Sequence, residues 1–235
     1  KGAYASSTTY ISGEAVRKAA VHVKSQILEH AALMLELENP QNLRLENRQV
    51  TSPGGRSLSL AEIALSSLHQ RNQHQIIGSA SNTSPLSPPP TAAQFVEIEL
   101  DTKTGKIAVD RLLMIVDCGR VINPATAAGQ VEGGMTQALG FALQEEMLFD
   151  QSGQPNNPNL RDYQIPRAAQ MPAVDVIFVE TNEKSGPFGA KSVSEIAIDG
   201  VAPAMASAVH NAAGVWIREV PYTKERVKKA IEMLL

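Results

Sequence analysis

The sequence predicts an α+β fold, a mixed sheet with packed helices. Three observations predict it. A helical pattern of apolar residues runs without interruption through residues 13–37. The stretch FVEIELD alternates apolar and acidic residues, TKTG turns the chain, and KIAVDRLLMIVD returns, which predicts a long hairpin. Helices and strands then follow one another without the strict βαβ succession of a parallel sheet.

The opening, KGAYASSTTYIS, is rich in small and hydroxyl residues and tolerates extended backbone. Ser12 is placed to cap a helix from Gly13, with Glu14 in its first turn. Val16, Ala19, Ala20, Val23, Ile27, Ala31, Met34 and Leu35 share one face of that helix. Short strands are expected in NLRLE and RQVT, joined near Asn47, and Ser59 to Glu62 has the pattern of a capping box before Ile63. Residues 71–92 lack periodicity, and the Pro/Ser-rich part near 79–92 reads as a connector. After the hairpin, Pro124 suits the first position of a second helix through Met135, Leu139 and Leu143. An extended, turn-rich segment leads to the strand AVDVIFVE. A small-residue helix, APAMASAVHNAAG, follows Glu195, and Thr223 caps a terminal amphipathic helix.

With 235 residues, 43% apolar and 19% charged, the chain can bury a substantial core. Net charge is −3, no Lys/Arg run exceeds two residues, and aromatics are 4%. These values argue against nucleic acid or an anionic membrane as partner. The single Cys118 rules out an internal disulfide framework and points to a reducing, cytoplasmic compartment. No signal peptide is expected, and no stretch approaches the roughly 20 apolar residues of a membrane helix. The chain begins with Lys rather than Met, as a fragment of a longer protein would.

Three segments share a chemical character: ASST near the start, GQVEGG in the middle and GAKSVSE late. Each reads as loop-like and poor in bulk, offering backbone N–H groups, hydroxyls or an amide, and together they could cradle a phosphate-bearing or polycyclic ligand. Taken singly, each reads rather as an ordinary helix-entry turn. GQVEGG is neither a P-loop nor a dinucleotide turn. His22, His30, His69, His74 and His210 show no metal spacing, and Cys118 beside Arg120 reads as a small buried hydrophobe. Glu195 closes a small-residue loop and opens an apolar helix. There it is expected to be partly desolvated and suited to take a proton near neutral pH. A complement to the helix dipole is an even alternative.

In order, ASSTTYISGEAV, the hairpin with DCGRVINPATAAGQVEGGMTQALGFALQEEM, NPNLRDYQIPRA and GPFGAKSVSEIAIDGVAPAMASAVHNAAG resemble the C-terminal region of the molybdenum-binding subunit of molybdenum hydroxylases, the xanthine dehydrogenase and aldehyde oxidase family. The resemblance covers nearly the whole chain, so residues 1–235 are expected to form the C-terminal lobe of a molybdopterin-binding domain. It implies that Glu195 is the general base at the metal centre and that Gln130 lies beside the metal. It further implies that Ala5, Ser6, Ser7 and Thr8 run along the pterin, and that Ser192, Val193 and Ser194 pack near the metal. Molybdenum is held in this family by the pterin dithiolene, so no protein ligand to it is expected. The implied cofactors are molybdopterin with molybdenum, as the cytosine dinucleotide if the protein is bacterial, and a 2Fe-2S cluster and FAD on other domains or subunits. The implied partners are the rest of the molybdenum subunit, those iron–sulfur and flavin parts, and a small heterocycle or aldehyde, in an oligomeric assembly.

Two departures stand out. Ser194 occupies a position that is usually glycine in the family, and the first molybdenum lobe with its Met-Gly-Gln-Gly-type pterin loop should lie upstream of Lys1. The piece by itself is therefore expected to be inactive and to leave strand edges unpaired. Purine-type oxidation with water as oxygen source is the leading expectation. Oxidation of an aldehyde or another N-heterocycle is the alternative, and a non-catalytic assembly module is the rival from another class.

Overall fold

In a computed structural model, residues 3–69, 73–84 and 86–234 are described. Residues 1, 2, 70–72, 85 and 235, which fall within the expected domain span and connector, lie outside that description. The chain divides into two units, one of Ile11–Pro85 and one of Gly2–Tyr10 with Leu86–Leu235.

In the first unit, helix α1 spans Gly13–Met34. Ser12 does not cap it: its backbone is already helical, with φ −71°, because a π-turn over Thr8–Ser12 feeds directly into the helix. The expected apolar face is buried only toward the C-terminus, at Ala31 and the following Leu35, while Val16 and Ala20 are exposed. Strands β1 (Arg44–Glu46), β2 (Gln49–Thr51) and β3 (Ser57–Ser59) form an antiparallel sheet. Asn47 and Arg48 turn the first hairpin at φ +48° and +62°, as a tight right-twisted connection requires. The third strand is not expected from the sequence, where Ser57 to Ser59 reads as the approach from the Pro53-Gly54-Gly55 turn to the capping box. Helix α2 (Leu60–His69) opens with the capping box: Glu62 accepts from the Ser59 N–H, and the Ser59 hydroxyl accepts from the Glu62 N–H. Ala31, Val50 and Ile63 fill the core of this unit. Residues 73–84 have no regular structure, yet the Gln26 amide pairs with both the N–H and the carbonyl of Ile77. Side-chain pairing of this kind leaves no periodic trace in a sequence.

The second unit is built on strands β4 (Thr91–Asp101), β5 (Lys106–Asp117) and β6 (Ala173–Phe178), in the order β4-β5-β6. The first pair is antiparallel and the second parallel, so the sheet is mixed. Alternation along β5 turns Leu112, Met114 and Val116 inward, where they meet Val131 and Met135 of α3 (Pro124–Leu143) and Val201 and Met205 of α5 (Val201–Ala213). Between these helices lies the single turn α4 (Ile196–Asp199), and α6 (Lys224–Glu232) ends the fold, capped by the Thr223 hydroxyl. GQVEGG is helical rather than loop-like: it forms the middle of α3. Its glycines are tolerated there because Gly134 presses against Ala197, whereas Gly129 and Gly133 face open space. Among the described residues no helix is long and apolar enough to cross a membrane.

Candidate functional site

The site sits where the end of β5, the start of α3 and the segment before α4 meet. Asp117, the last residue of β5, organises it. One of its carboxylate oxygens accepts from the Gly119 N–H and the Thr181 hydroxyl, and the other pairs with Lys191 at 2.8 Å. Burial works against this carboxylate, but Lys191, Gly119 and Thr181 outweigh it and hold its pKa below the usual carboxylate range. Lys191 is thereby drawn to the strand end, and Gly119 bridges to Ala190 alongside it.

This close approach explains half of the small-residue stretch. A Cβ on Gly186 would lie 1.8 Å from the Ala190 carbonyl oxygen, and one on Gly119 would lie 2.3 Å from that of Gly189. Gly189, at φ +92°, adopts a conformation that a side chain disfavours. The glycines at 186 and 189 therefore serve packing within the chain, with the exposed Phe188 between them, and Ala190 to Glu195 border open space. Tyr10 anchors the same loop, donating its hydroxyl to Ser185 at 2.7 Å.

Glu195 stands at φ −71° immediately before α4 and borders three adjoining cavities of about 680, 370 and 210 Å³. Ser194 borders all three as well, so the extra hydroxymethyl at this position is placed where they meet. The expectation of a partly desolvated carboxylate is not met: Glu195 is exposed, because its side chain faces this open junction and not the core. Its partner is the Ser6 hydroxyl, which donates to Oε2 at 3.0 Å and accepts from the Glu195 N–H at 3.0 Å. Below it, Gln94 of β4 donates its amide to the carbonyl of Ala197 at 2.9 Å, bracing α4 on the sheet.

The three separate segments converge on the 680 Å³ cavity. Ala5, Ser6 and Thr8 line one side, Gln130 of α3 another, and Val193, Ser194 and Glu195 a third. Ser192 borders the neighbouring 370 Å³ cavity instead. Ser7 borders none of the three; its hydroxyl turns back to the Tyr4 carbonyl at 2.8 Å and closes the turn. Sequence reasoning passes over several neighbours. Arg120, Asn123 and Thr126 line the large cavity beside the start of α3, where Asn123 caps the helix by accepting from the Thr126 N–H. Pro124 points to the helix start and so to this cap. Ser87 to Pro90, read as part of a connector, form one wall of the 370 Å³ cavity, and nothing in their composition signals that placement. Cys118 is buried at the edge of the large cavity, and burial pushes its thiol pKa up. Among the described residues no group of three or more His, Cys, Asp and Glu could hold a metal ion.

The donor set suits a flat, anionic, hydrogen-bonding group such as a pterin phosphate. Ala3, Ala5, Ala127 and Ala190 leave the large cavity shallow-walled, while Ser6, Thr8 and Gln130 offer polar atoms and Arg120 a cation. A 680 Å³ space is in the range of cofactor-sized sites. The residues present fit the group.

Comparison with known proteins agrees with this chemistry. The sequence model of one family, the molybdopterin cofactor-binding domain, matches residues 1–172. A protein of Escherichia coli K12 named "Probable hypoxanthine oxidase XdhD" is 37% identical over all 235 residues, which correspond to 24% of that protein. The xanthine dehydrogenase molybdenum-binding subunit of Escherichia coli O157:H7 is 36% identical over 96% of this chain and 31% of its own length. The chain thus spans 24% and 31% of the length of these relatives. Among solved structures, quinoline 2-oxidoreductase from Pseudomonas putida 86 superposes with a TM-score of 0.86 at 28% identity, covering 98% of this chain and 31% of that one.

Proposed function

The chain belongs to the molybdopterin cofactor-binding domain family, and from that membership we propose that it forms the base-bearing wall of a hydroxylase site that oxidises a purine-type heterocycle. When bound, the molybdenum cofactor would supply the two-electron redox centre. The overall change converts a substrate C–H and water to C–OH with release of two electrons and two protons. A proton acceptor is therefore needed beside the reacting carbon. Glu195 takes that role, its carboxylate facing the junction of the three cavities. Ser6, Thr8 and Gln130 would offer hydrogen bonds to polar atoms of the cofactor, and Arg120 with the capped start of α3 would meet an anionic group such as the phosphate of a dinucleotide form. Ser194 narrows the space beside Glu195.

The single observation that carries the reading is the convergence of Ser6, Gln130 and Glu195, distant in sequence, around one cofactor-sized cavity. The purine class is supported by the hypoxanthine- and xanthine-named relatives. Electrons would leave to iron–sulfur and flavin groups on the remainder of the protein or on partner subunits, consistent with a relative that is itself a subunit.

The test uses the full-length protein, matured with its partner chains in a host that makes the cofactor. Glu195→Gln is expected to lower kcat by about 10²- to 10⁴-fold with molybdenum content unchanged. Near-normal turnover would remove Glu195 from the role, and a wild-type protein without molybdenum would leave only an assembly module. A panel of hypoxanthine, xanthine and aldehydes checks the substrate class.

A further inference from the structure

Ser6 is held in place by a backbone that its sequence does not favour. Ala5 and Ser6 stand in succession at φ +51° and +49°, a left-handed region that residues with a Cβ seldom occupy once, let alone twice. The turn is closed locally, since both the N–H and the hydroxyl of Ser7 donate to the Tyr4 carbonyl, at 3.2 and 2.8 Å. Its consequence is distant. It brings the Ser6 hydroxyl to a residue 189 positions later, where the hydroxyl donates to Glu195 Oε2 and accepts from the Glu195 N–H, both at 3.0 Å.

Two hydrogen bonds to one hydroxyl make a small ring through the backbone nitrogen, side chain and carboxylate of Glu195. A glutamate side chain has three rotatable bonds and, exposed to solvent, would sample many rotamers. Closing the ring restricts it to conformers that bring Oε2 back over its own N–H. The other oxygen has no hydrogen-bond partner among the described residues. Backbone strain concentrated where a side chain meets a candidate base is the pattern expected of a functional constraint. A hydroxyl can donate one bond and accept two, so this pairing leaves Ser6 one acceptor site for a cofactor N–H.

We infer that Ser6 is the positioning residue of Glu195: its hydroxyl fixes the carboxylate so that the free oxygen faces the junction of the cavities. The inference rests on the reading of Glu195 as the base. It moves Ser6 from a cofactor contact alone to a residue that acts through the base.

The experiment uses the full-length protein with its partners, as wild type, Ser6→Ala, Ser6→Gly, Glu195→Gln and Ser6→Ala/Glu195→Gln. Both Ser6 variants remove the hydroxyl, and the glycine variant also relieves the positive φ, so a folding defect in one is controlled by the other. Loss of a hydrogen bond to a charged group predicts kcat lower by about 10- to 100-fold, with KM within about twofold. In the Glu195→Gln background, removing the hydroxyl is expected to change the turnover per bound molybdenum less than about twofold, because the group it orients is already lost. A second readout needs no turnover. Hydrogen exchange at the Glu195 amide, measured in cofactor-free protein, should quicken by about tenfold or more once its acceptor is gone.

Unchanged exchange at that amide, wild-type kcat in both Ser6 variants, or a kcat loss that adds fully to that of Glu195→Gln would each overturn the positioning role. Near-normal turnover by Glu195→Gln alone would instead refute the base, which separates the two failures.

Discussion

Two adjacent glycines of α3, Gly133 and Gly134, are expected to respond to the same substitution with opposite sign. A methyl group on Gly134 would lie 2.6 Å from the Ala197 Cβ, against about 3.5–4.0 Å for carbon atoms in contact. α3 and α4 would have to part locally by about 1 Å in a region where Ala197 is fully buried. Overpacking of this kind costs about 2 kcal/mol, and the helix preference of alanine over glycine offsets about 1 kcal/mol. Gly134→Ala should thus destabilise by about 1 kcal/mol net. At Gly133 an added methyl meets nothing within 4 Å, so only the propensity gain remains, about 1 kcal/mol stabilising. Urea unfolding followed by fluorescence of Trp216, the one tryptophan, stacked on His210 at 4.2 Å, reports on this unit. With a slope of about 2 kcal/mol/M, the midpoint should fall by about 0.5 M for Gly134→Ala and rise by about 0.5 M for Gly133→Ala. Midpoint shifts of the same sign would refute the close contact between α3 and α4.

Further expectations follow from the supports of the site. Asp117→Asn removes the charge opposite Lys191 and should cost about 3 kcal/mol at neutral pH, measured by urea unfolding. The Asp117 pKa is lowered in the folded state, so its contribution is full above about pH 4 and is lost as pH falls through the folded value. The stability gap between wild type and Asp117→Asn should therefore narrow below about pH 4. Asn123→Ala takes away the cap of α3 and should cost about 1 kcal/mol by the same assay. Tyr222 is buried, its hydroxyl donates to the Ala202 carbonyl, and burial raises its pKa. Its neutral form supports the fold fully below about pH 10, and that support should decline as pH rises further, a loss absent in Tyr222→Phe.

Elements governed by neighbours along the chain are legible in the sequence. The β4–β5 hairpin announces itself through alternation around TKTG, the α2 start through Ser59 and Glu62, the α3 start through Pro124, and α6 through Thr223. Where tertiary contact overrides local preference, legibility fails. Three glycines make GQVEGG look like a loop, yet the packing of Gly134 on Ala197 and the apolar contacts of Val131 and Met135 keep it helical. The opening residues look extended because nothing in their composition discloses a π-turn or two left-handed residues in succession.

By itself the sequence determined the fold class, the family and the identity of the chemically distinctive residues, Glu195 and Gln130 among them, since composition, periodicity and ordered motifs are properties of the string. Only the tertiary structure decided what the small residues are for. Gly186 and Gly189 lack side chains because the Ala190 carbonyl and the Asn182 side chain press on them, whereas Ser192 to Ser194 border open cavities. It also decided what Glu195 touches: an exposed junction where a partly desolvated carboxylate was expected, and a hydroxyl 189 positions away. Two hydrogen bonds between residues so far apart depend on how the intervening chain folds, and no spacing rule along the sequence encodes them.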